Sequence, residues 1–230
     1  MSAALKGISS MATRQVLADL VAAWQEKGGE PVQIESVGGV DAAQRVQSGE
    51  EAFDVVFLAS NAIDKLQAAG RVVAGSKVDL VLSSTAVAVP AGAALPDIGS
   101  EEAVRAAVLA APSIGYSTGP SGVALQKLFE RWGIADEIKP RIVQARPGVP
   151  VGSMIASGEV ALGFQQLSEL IHVAGIQIVG GLPAAIAIDT VFSAGVVTGS
   201  AHADAVQRLL AFMASPEAEA AKRRQGMEPA

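Results

Sequence analysis

At 230 residues the chain is long enough for one large domain or two small lobes and can bury a sizeable core. Half of its residues are hydrophobic, 17% are charged and 24 are glycine, a balance that suits an α/β protein whose helices cover a buried sheet. The net charge of −6 argues against nucleic acid or an anionic membrane as partner, and the absence of cysteine excludes disulfides, thiolate metal sites and cysteine nucleophiles.

Leu5 to Ser9 reads as a first strand, followed by a helix from Met11 to Lys27 with Leu17, Leu20, Val21 and Trp24 at helical spacing and Ser10 as its N-cap. Val32 to Val37 alternates as a strand, and Gly38-Gly39 turns into a helix (Asp41 to Gln47) ended by Gly49. Phe53 to Ala59 is a continuous apolar strand of the buried parallel type, and Ser60 or Asn61 caps a helix from Ala62 to Ala69. This β-α-β-α-β-α order builds a parallel sheet. Val78 to Val89 has room for two strands and runs into Pro90-Ala91-Gly92, a passage to a second lobe. There follow a helix (Glu101 to Leu109), a strand (Ser113 to Tyr116), a helix (Val123 to Trp132) and a strand (Arg141 to Gln144). A short helix (Val151 to Ala156), a strand (Val160 to Gln165), a helix (Leu167 to His172) and a strand (Ile176 to Val179) complete that lobe. Thr190 to Val197 is a strand returning to the first lobe, closed by helices at Ala203 to Ala214 and Pro216 to Arg224. An internal echo supports two lobes built alike: Ser48-Gly49-Glu50-Glu51-Ala52-Phe53 and Ser157-Gly158-Glu159-Val160-Ala161-Leu162 each lead from a short helix into a strand.

Four strand-to-helix junctions carry hydroxyl or amide groups: Ser9-Ser10, Ser60-Asn61, Ser117 to Ser121, and Gln165 to Ser168. Serine caps helices everywhere, but all four lie at the carboxyl ends of expected parallel strands, where open α/β sheets bind ligands. The run Ser117-Thr118-Gly119-Pro120-Ser121-Gly122 aims free amides and hydroxyls at the positive end of a helix dipole, a cradle for an anion. Gly38-Gly39 is expected to serve a positive-φ turn ahead of a close approach to a ligand. Arg14 and Arg146 are candidates to clamp a carboxylate. Glu169 and His172, three apart on one expected helix face, can pair or move a proton, though such a pair is more often a surface contact. His202 reads as a solvated loop residue and Lys222-Arg223-Arg224 as a solvated helix end. With two histidines and no cysteine, neither a metal site nor a cofactor is expected. The phosphate-binding G-x-x-x-x-G-K-[ST], the S-x-x-K nucleophile pattern and H-E-x-x-H are all absent.

Phe53-Asp54-Val55-Val56-Phe57-Leu58-Ala59-Ser60, Gly158-Glu159-Val160-Ala161-Leu162-Gly163-Phe164 and Gly175-Ile176 to Leu182-Pro183 appear in this order, with Ser215-Pro216-Glu217-Ala218 and Gly226-Met227-Glu228-Pro229 closing the chain. In these segments the chain resembles the molybdate-type solute-binding proteins of the class II periplasmic binding fold. The resemblance implies two Rossmann-like α/β lobes (1–84 with 191–230, and 85–190), joined by two crossing strands with a ligand cleft between them. Family ligand positions fall at Ser10, near Ala59-Ser60 and near Val149-Pro150-Val151. The family's second serine falls on Gly38-Gly39, which has no hydroxyl, and its tyrosine falls in Phe164-Gln165-Gln166, so another oxyanion or a small carboxylate is at least as well accommodated as molybdate. The expected ligand set is Ser9, Ser10, Gly39, Ser60, Asn61, Ser117, Thr118, Ser121, Val151, Phe164 and Gln165. The wider family is also similar to aconitate isomerases, which shift a double bond within a tricarboxylate by proton transfer, with Glu169 and His172 the candidate groups for that step. The partners implied are a small anion and, for an exported protein, a membrane (ABC) transporter; a monomer is expected. The expected compartment is the cytoplasm if Met1 is the native start and the periplasm if a leader has been removed.

Overall fold

The computed structural model describes residues 4–146 and 148–230. The chain divides into two compact units, Met1–Ser83 with Val191–Ala230, and Ser84–Thr190.

In the first unit, β1 (Leu5–Ser10) leads through one 3-10 turn into α1 (Arg14–Glu26), then β2 (Val32–Val37), α2 (Gly39–Ser48), β3 (Val55–Ala59) and α3 (Ser60–Ala68). β1 lies between β2 and β3, parallel to both, with Leu5 opposite Val32, Ser10 opposite Val37 and Gly7 opposite Val55. The carboxyl ends of all three strands therefore share one edge. Every residue of β3 is buried, which is why it reads as an unbroken apolar run. On one face, Val16, Leu17 and Leu20 pack with Leu5, Val55 and Phe57; on the other, Ala42, Val46, Ile63 and Leu66 pack with Ile8, Val56 and Leu58. Each large apolar side chain so buried contributes about 1.5–3 kcal/mol relative to exposure.

β4 (Val78–Pro90) is one strand of 13 residues where the sequence left room for two, and it runs from the first unit into the second. The second unit continues with α4 (Glu101–Ala110), β5 (Ile114–Tyr116), α5 (Pro120–Arg131), α6 (Ala135–Ile138), β6 (Ile142–Gln144), α7 (Val151–Ala156), β7 (Leu162–Gln166), α8 (Leu167–Leu170) and β8 (Ile176–Gly181). Its strands run in the order β4-β7-β5-β6, with β8 also on β4; β5 is parallel to β6 and β7, and β4 is antiparallel to β7 and β8. Leu125, Leu128 and Phe129 of α5 pack with Ile114, Tyr116 and Phe164 on one face, while Val151, Met154 and Ile155 of α7 pack with Ala86, Ala88 and Val160 on the other.

β9 (Asp189–Val196) returns the chain to the first unit, where it pairs antiparallel with β3. α9 (Ala203–Met213) and α10 (Glu219–Arg224) follow, and β10 (Met227–Pro229), unforeseen in the sequence, adds antiparallel to β4. The internal echo has a conformational basis. Gly49 (φ 69) and Gly158 (φ 80) stop α2 and α7 in the left-handed region, and each leads into a strand beside the first strand of its unit.

Candidate functional site

In the first unit, the shared edge gathers the start of the first helical segment and the amide ends of α2 and α3. No side chain caps any of them: the N-cap positions are Ser10, Gly38 and Ala59, and none makes a side-chain cap hydrogen bond. The first amides of an α-helix have no partner within the helix, so this edge presents donors at the positive ends of dipoles. Ser10, 6% exposed, has a buried Oγ without a hydrogen-bond partner, contrary to its expected capping role. An ideal Cβ on Gly39 would stand 3.6 Å from the Ser10 Cβ, which puts this hydroxyl's residue beside the first turn of α2. Neither Gly38 nor Gly39 has a positive φ, so the expected turn conformation is corrected: the pair simply opens α2. Ser9 points to the opposite face of the strand, is fully buried and shares a 2.8 Å hydrogen bond with Ser36 Oγ, its register partner. That bond occupies Ser9 in the sheet. Ser60 is half-buried and Asn61 exposed in the first turn of α3, and Arg14 is exposed.

In the second unit, the amide end of α5 follows β5. The helix begins at Pro120, three residues earlier than expected, because proline with a fixed φ suits a first helical position. Ser121 thus becomes a buried residue of its first turn, while Ser117 and Thr118 stay in the half-buried loop. Ser117 Oγ accepts from Gly119 N–H at 3.3 Å. Gly122 permits the tight join, since a Cβ there would fall 1.7 Å from the Ser117 carbonyl oxygen. Gly115-Tyr116-Ser117-Thr118-Gly119 also spells the G-x-S-x-G of a nucleophile elbow, a match that sequence reasoning missed, in the right strand-to-helix context. Among the described residues, however, no non-glycine has a positive φ, so Ser117 is not in the strained turn that exposes such a nucleophile.

Phe164, expected to line the ligand, is a core residue: fully buried, edge-on to Phe129 at 6.3 Å between ring centres. Gln165 is buried on the opposite face of β7, where its Oε1 accepts from Gly152 N–H (3.1 Å) and its Nε2 donates to Glu169 Oε1 (2.8 Å). It therefore caps α7, whose first residue Val151 is fully buried, and holds the Glu169 carboxylate in place. Burial pushes the Glu169 carboxyl up to about 7, against the lowering effect of the Gln165 hydrogen bond. By surface the residue as a whole is only half-buried. α8 ends at Leu170, two residues short of the expected end, and His172 lies in the exposed turn beyond it. Arg146 is exposed.

Thr85 and Thr190, which sequence reasoning passed over as site residues, and Gln166, noted there only within the Gln165 to Ser168 junction, are buried and polar in this unit. Thr85 stands opposite Gln166 in the β4–β7 pairing, and Gln166 Nε2 donates to Thr190 Oγ1 at 3.0 Å. Thr85 Oγ1 and Gln166 Oε1 are buried without partners. The only sequence signal was polarity inside apolar strands. Elsewhere, His202 keeps a side chain 40% exposed just before α9, and its Nδ1 also lies 3.1 Å from Asp54 Oδ1, beside hydrogen bonds to Asp54 from Lys6 N–H and Ser200 Oγ. Lys222, expected to be solvated, is 1% exposed.

The described residues contain no helix long and apolar enough to cross a membrane. The family model for bacterial extracellular solute-binding proteins matches residues 5–228. An aconitate isomerase from Pseudomonas sp. is 41% identical over 182 residues, 78% of this chain and 68% of that protein. Among solved structures, the periplasmic molybdate-binding protein of Azotobacter vinelandii superposes with a TM-score of 0.80 at 23% identity, over 97% of this chain and 98% of that one. The sulfate-binding protein SubI of Mycobacterium tuberculosis H37Rv gives 0.79 at 17% identity, over 99% and 87%. At these identities the structural matches speak for the fold, which is that of the periplasmic binding proteins. With a family match over nearly its whole length, the chain belongs to the bacterial extracellular solute-binding protein family.

Proposed function

We propose that the protein binds a small unsaturated tricarboxylate and isomerises it, as the name of its Pseudomonas relative describes for aconitate. The observation that carries this reading is the Glu169 carboxyl, half-buried, hydrogen-bonded by Gln165 and pushed up to about 7 by burial. A group titrating near neutrality both accepts and returns a proton with little cost. Aconitate has one methylene and one vinylic carbon flanking the carbon that bears its middle carboxylate. Taking a proton from the methylene, moving the double bond across and returning the proton to the former vinylic carbon regenerates the same connectivity. The geometry about the double bond is set anew, no atom is lost and no cofactor is required. In this reading Ser10, Ser60 and the uncapped amide ends of α2 and α3 in the first unit, and Thr118 with the uncapped amide end of α5 in the second, are each suited to hold a carboxylate. Asn61, Ser117, Arg14 and Arg146 are the more exposed candidates.

A receptor that binds an anion without changing it is the second reading, favoured by family membership and by the oxyanions named for the structural neighbours. A transporter partner belongs to that reading. Proton NMR of cis- or trans-aconitate incubated with the protein separates the two. The isomerase reading expects the other isomer to grow in, with Glu169→Gln lowering kcat by about 10²-fold or more and Ser10→Ala chiefly raising KM. Activity should rise with pH through about 7 as Glu169 becomes a base. Tight binding with neither isomerisation nor solvent exchange of the methylene protons refutes the isomerase reading in favour of the receptor.

A further inference from the structure

Thr85, Gln166 and Thr190 form a buried polar group that neither the fold nor the proton step uses. Their exposures are 1%, 3% and 8%. Directly opposed residues of an antiparallel pair put their side chains on one face, so the Thr85 and Gln166 side chains sit together. That face is the one carrying Phe164, two residues before Gln166, and hence the α5 face of the sheet. β5 and β7 are parallel, so Gln166 lies at the same edge from which α5 opens, a helix of 12 residues with no side-chain cap. The Thr190 hydroxyl holds the Gln166 carboxamide by its nitrogen, leaving the carbonyl oxygen free. Thr85 is tied by its backbone N–H to Ile188 O at 2.9 Å, and its hydroxyl is buried without a partner.

Two buried polar atoms without partners are costly unless something pairs with them. The chemistry of the pair is specific. The Gln166 carbonyl accepts a hydrogen bond and cannot give one from its oxygen, while the Thr85 hydroxyl can do either. A fully ionised tetrahedral oxyanion has no proton to offer the carbonyl, and the two oxygens repel. A hydroxyl or an undissociated carboxyl satisfies both at once, donating to Gln166 and accepting from Thr85. We propose that Thr85 and Gln166, steadied by Thr190 beside the amide end of α5, form a subsite that selects a ligand with a protonated oxygen, a carboxylic acid or hydroxy acid, over a fully ionised oxyanion. This rests on the carboxylate reading given above and adds its selectivity.

The test is isothermal titration calorimetry of the wild type, Thr85→Val and Gln166→Met with propane-1,2,3-tricarboxylate, a saturated analogue that cannot isomerise, and with sulfate. Melting temperatures without ligand are taken alongside. The wild type is expected to prefer the tricarboxylate and to take up a proton on binding it, seen as a dependence of the apparent enthalpy on the buffer. Each substitution should weaken the tricarboxylate by roughly tenfold. It should leave sulfate affinity unchanged; Thr85→Val should keep or raise the melting temperature, since an unpaired group has gone, while Gln166→Met also gives up the bond to Thr190 and should lower it slightly. Tricarboxylate affinity unchanged in both variants, or equal wild-type affinity for sulfate, overturns the subsite. Wild-type binding that follows this pattern without turnover of aconitate removes the isomerase and leaves the subsite; no binding of either probe removes both.

Discussion

Replacing Glu169 by Gln removes an ionisable group while keeping a carbonyl oxygen for Gln165 to donate to. In the unfolded chain this carboxyl titrates near its ordinary 4.5, and in the folded protein burial moves it up to about 7. Below the lower value both states are neutral there and the group has no influence. As pH rises between the two, the unfolded chain ionises first, so the folded state is progressively disfavoured, and above the folded value the penalty is complete. The difference corresponds to about 3 kcal/mol. For a chain of this length that is roughly 6–12 °C in melting temperature. Urea unfolding of wild type and Glu169→Gln, followed by circular dichroism at about pH 4 and about pH 8, measures it. All other titrations are common to the two proteins and cancel in their difference. The variant should gain on the wild type by that amount between the two conditions. A gap that does not change with pH refutes the burial argument, and with it the poise assigned to Glu169 as a proton carrier.

Gly122→Ala forces a methyl group against the Ser117 carbonyl oxygen, so it should destabilise by about 1–3 kcal/mol. It should also weaken anion binding at the α5 amide end; a variant with unchanged melting temperature and affinity contradicts the close approach. Asp54→Asn addresses an acid that burial raises but whose hydrogen bonds from Lys6 N–H, Ser200 and His202 together bring below the usual carboxylate range. The wild type's advantage over this variant should be present at neutral pH and vanish as pH falls through the lowered folded value, in acid-unfolding curves; parallel curves refute it. Lys222→Met replaces a buried amine, whose burial lowers its pKa, with a side chain of similar length. Thermal unfolding should be unchanged or shifted upward, and a loss above about 1 kcal/mol would reveal a stabilising partner for the ammonium.

The α/β class and the order of elements follow from local patterns. A strand covered on both faces, such as β3, must be apolar throughout, and a helix such as α1 must place Val16, Leu17 and Leu20 on one face. The two helix-to-strand turns repeat because left-handed stops at Gly49 and Gly158 are local events. Boundaries moved where a short-range signal competed: Pro120 started α5 early, and α8 stopped before His172.

The hydroxyls and amides at strand ends were visible in the sequence, but their availability was not. Ser9 and Ser10 are neighbours with opposite fates, because strand register sets Ser9 against Ser36, 27 residues away, while Ser10 turns to the other face and keeps a free Oγ. Phe164 and Gln165 are divided in the same way: one enters the core, and the other is taken up by Gly152 and Glu169. Thr85 and Gln166 became a pair only through the β4–β7 register. Residue type and spacing by themselves determined the class of the protein and where along the chain polar groups meet helix ends. Only the tertiary structure decided which of those groups remain open, because a hydrogen-bond partner is assigned by packing between residues distant in sequence.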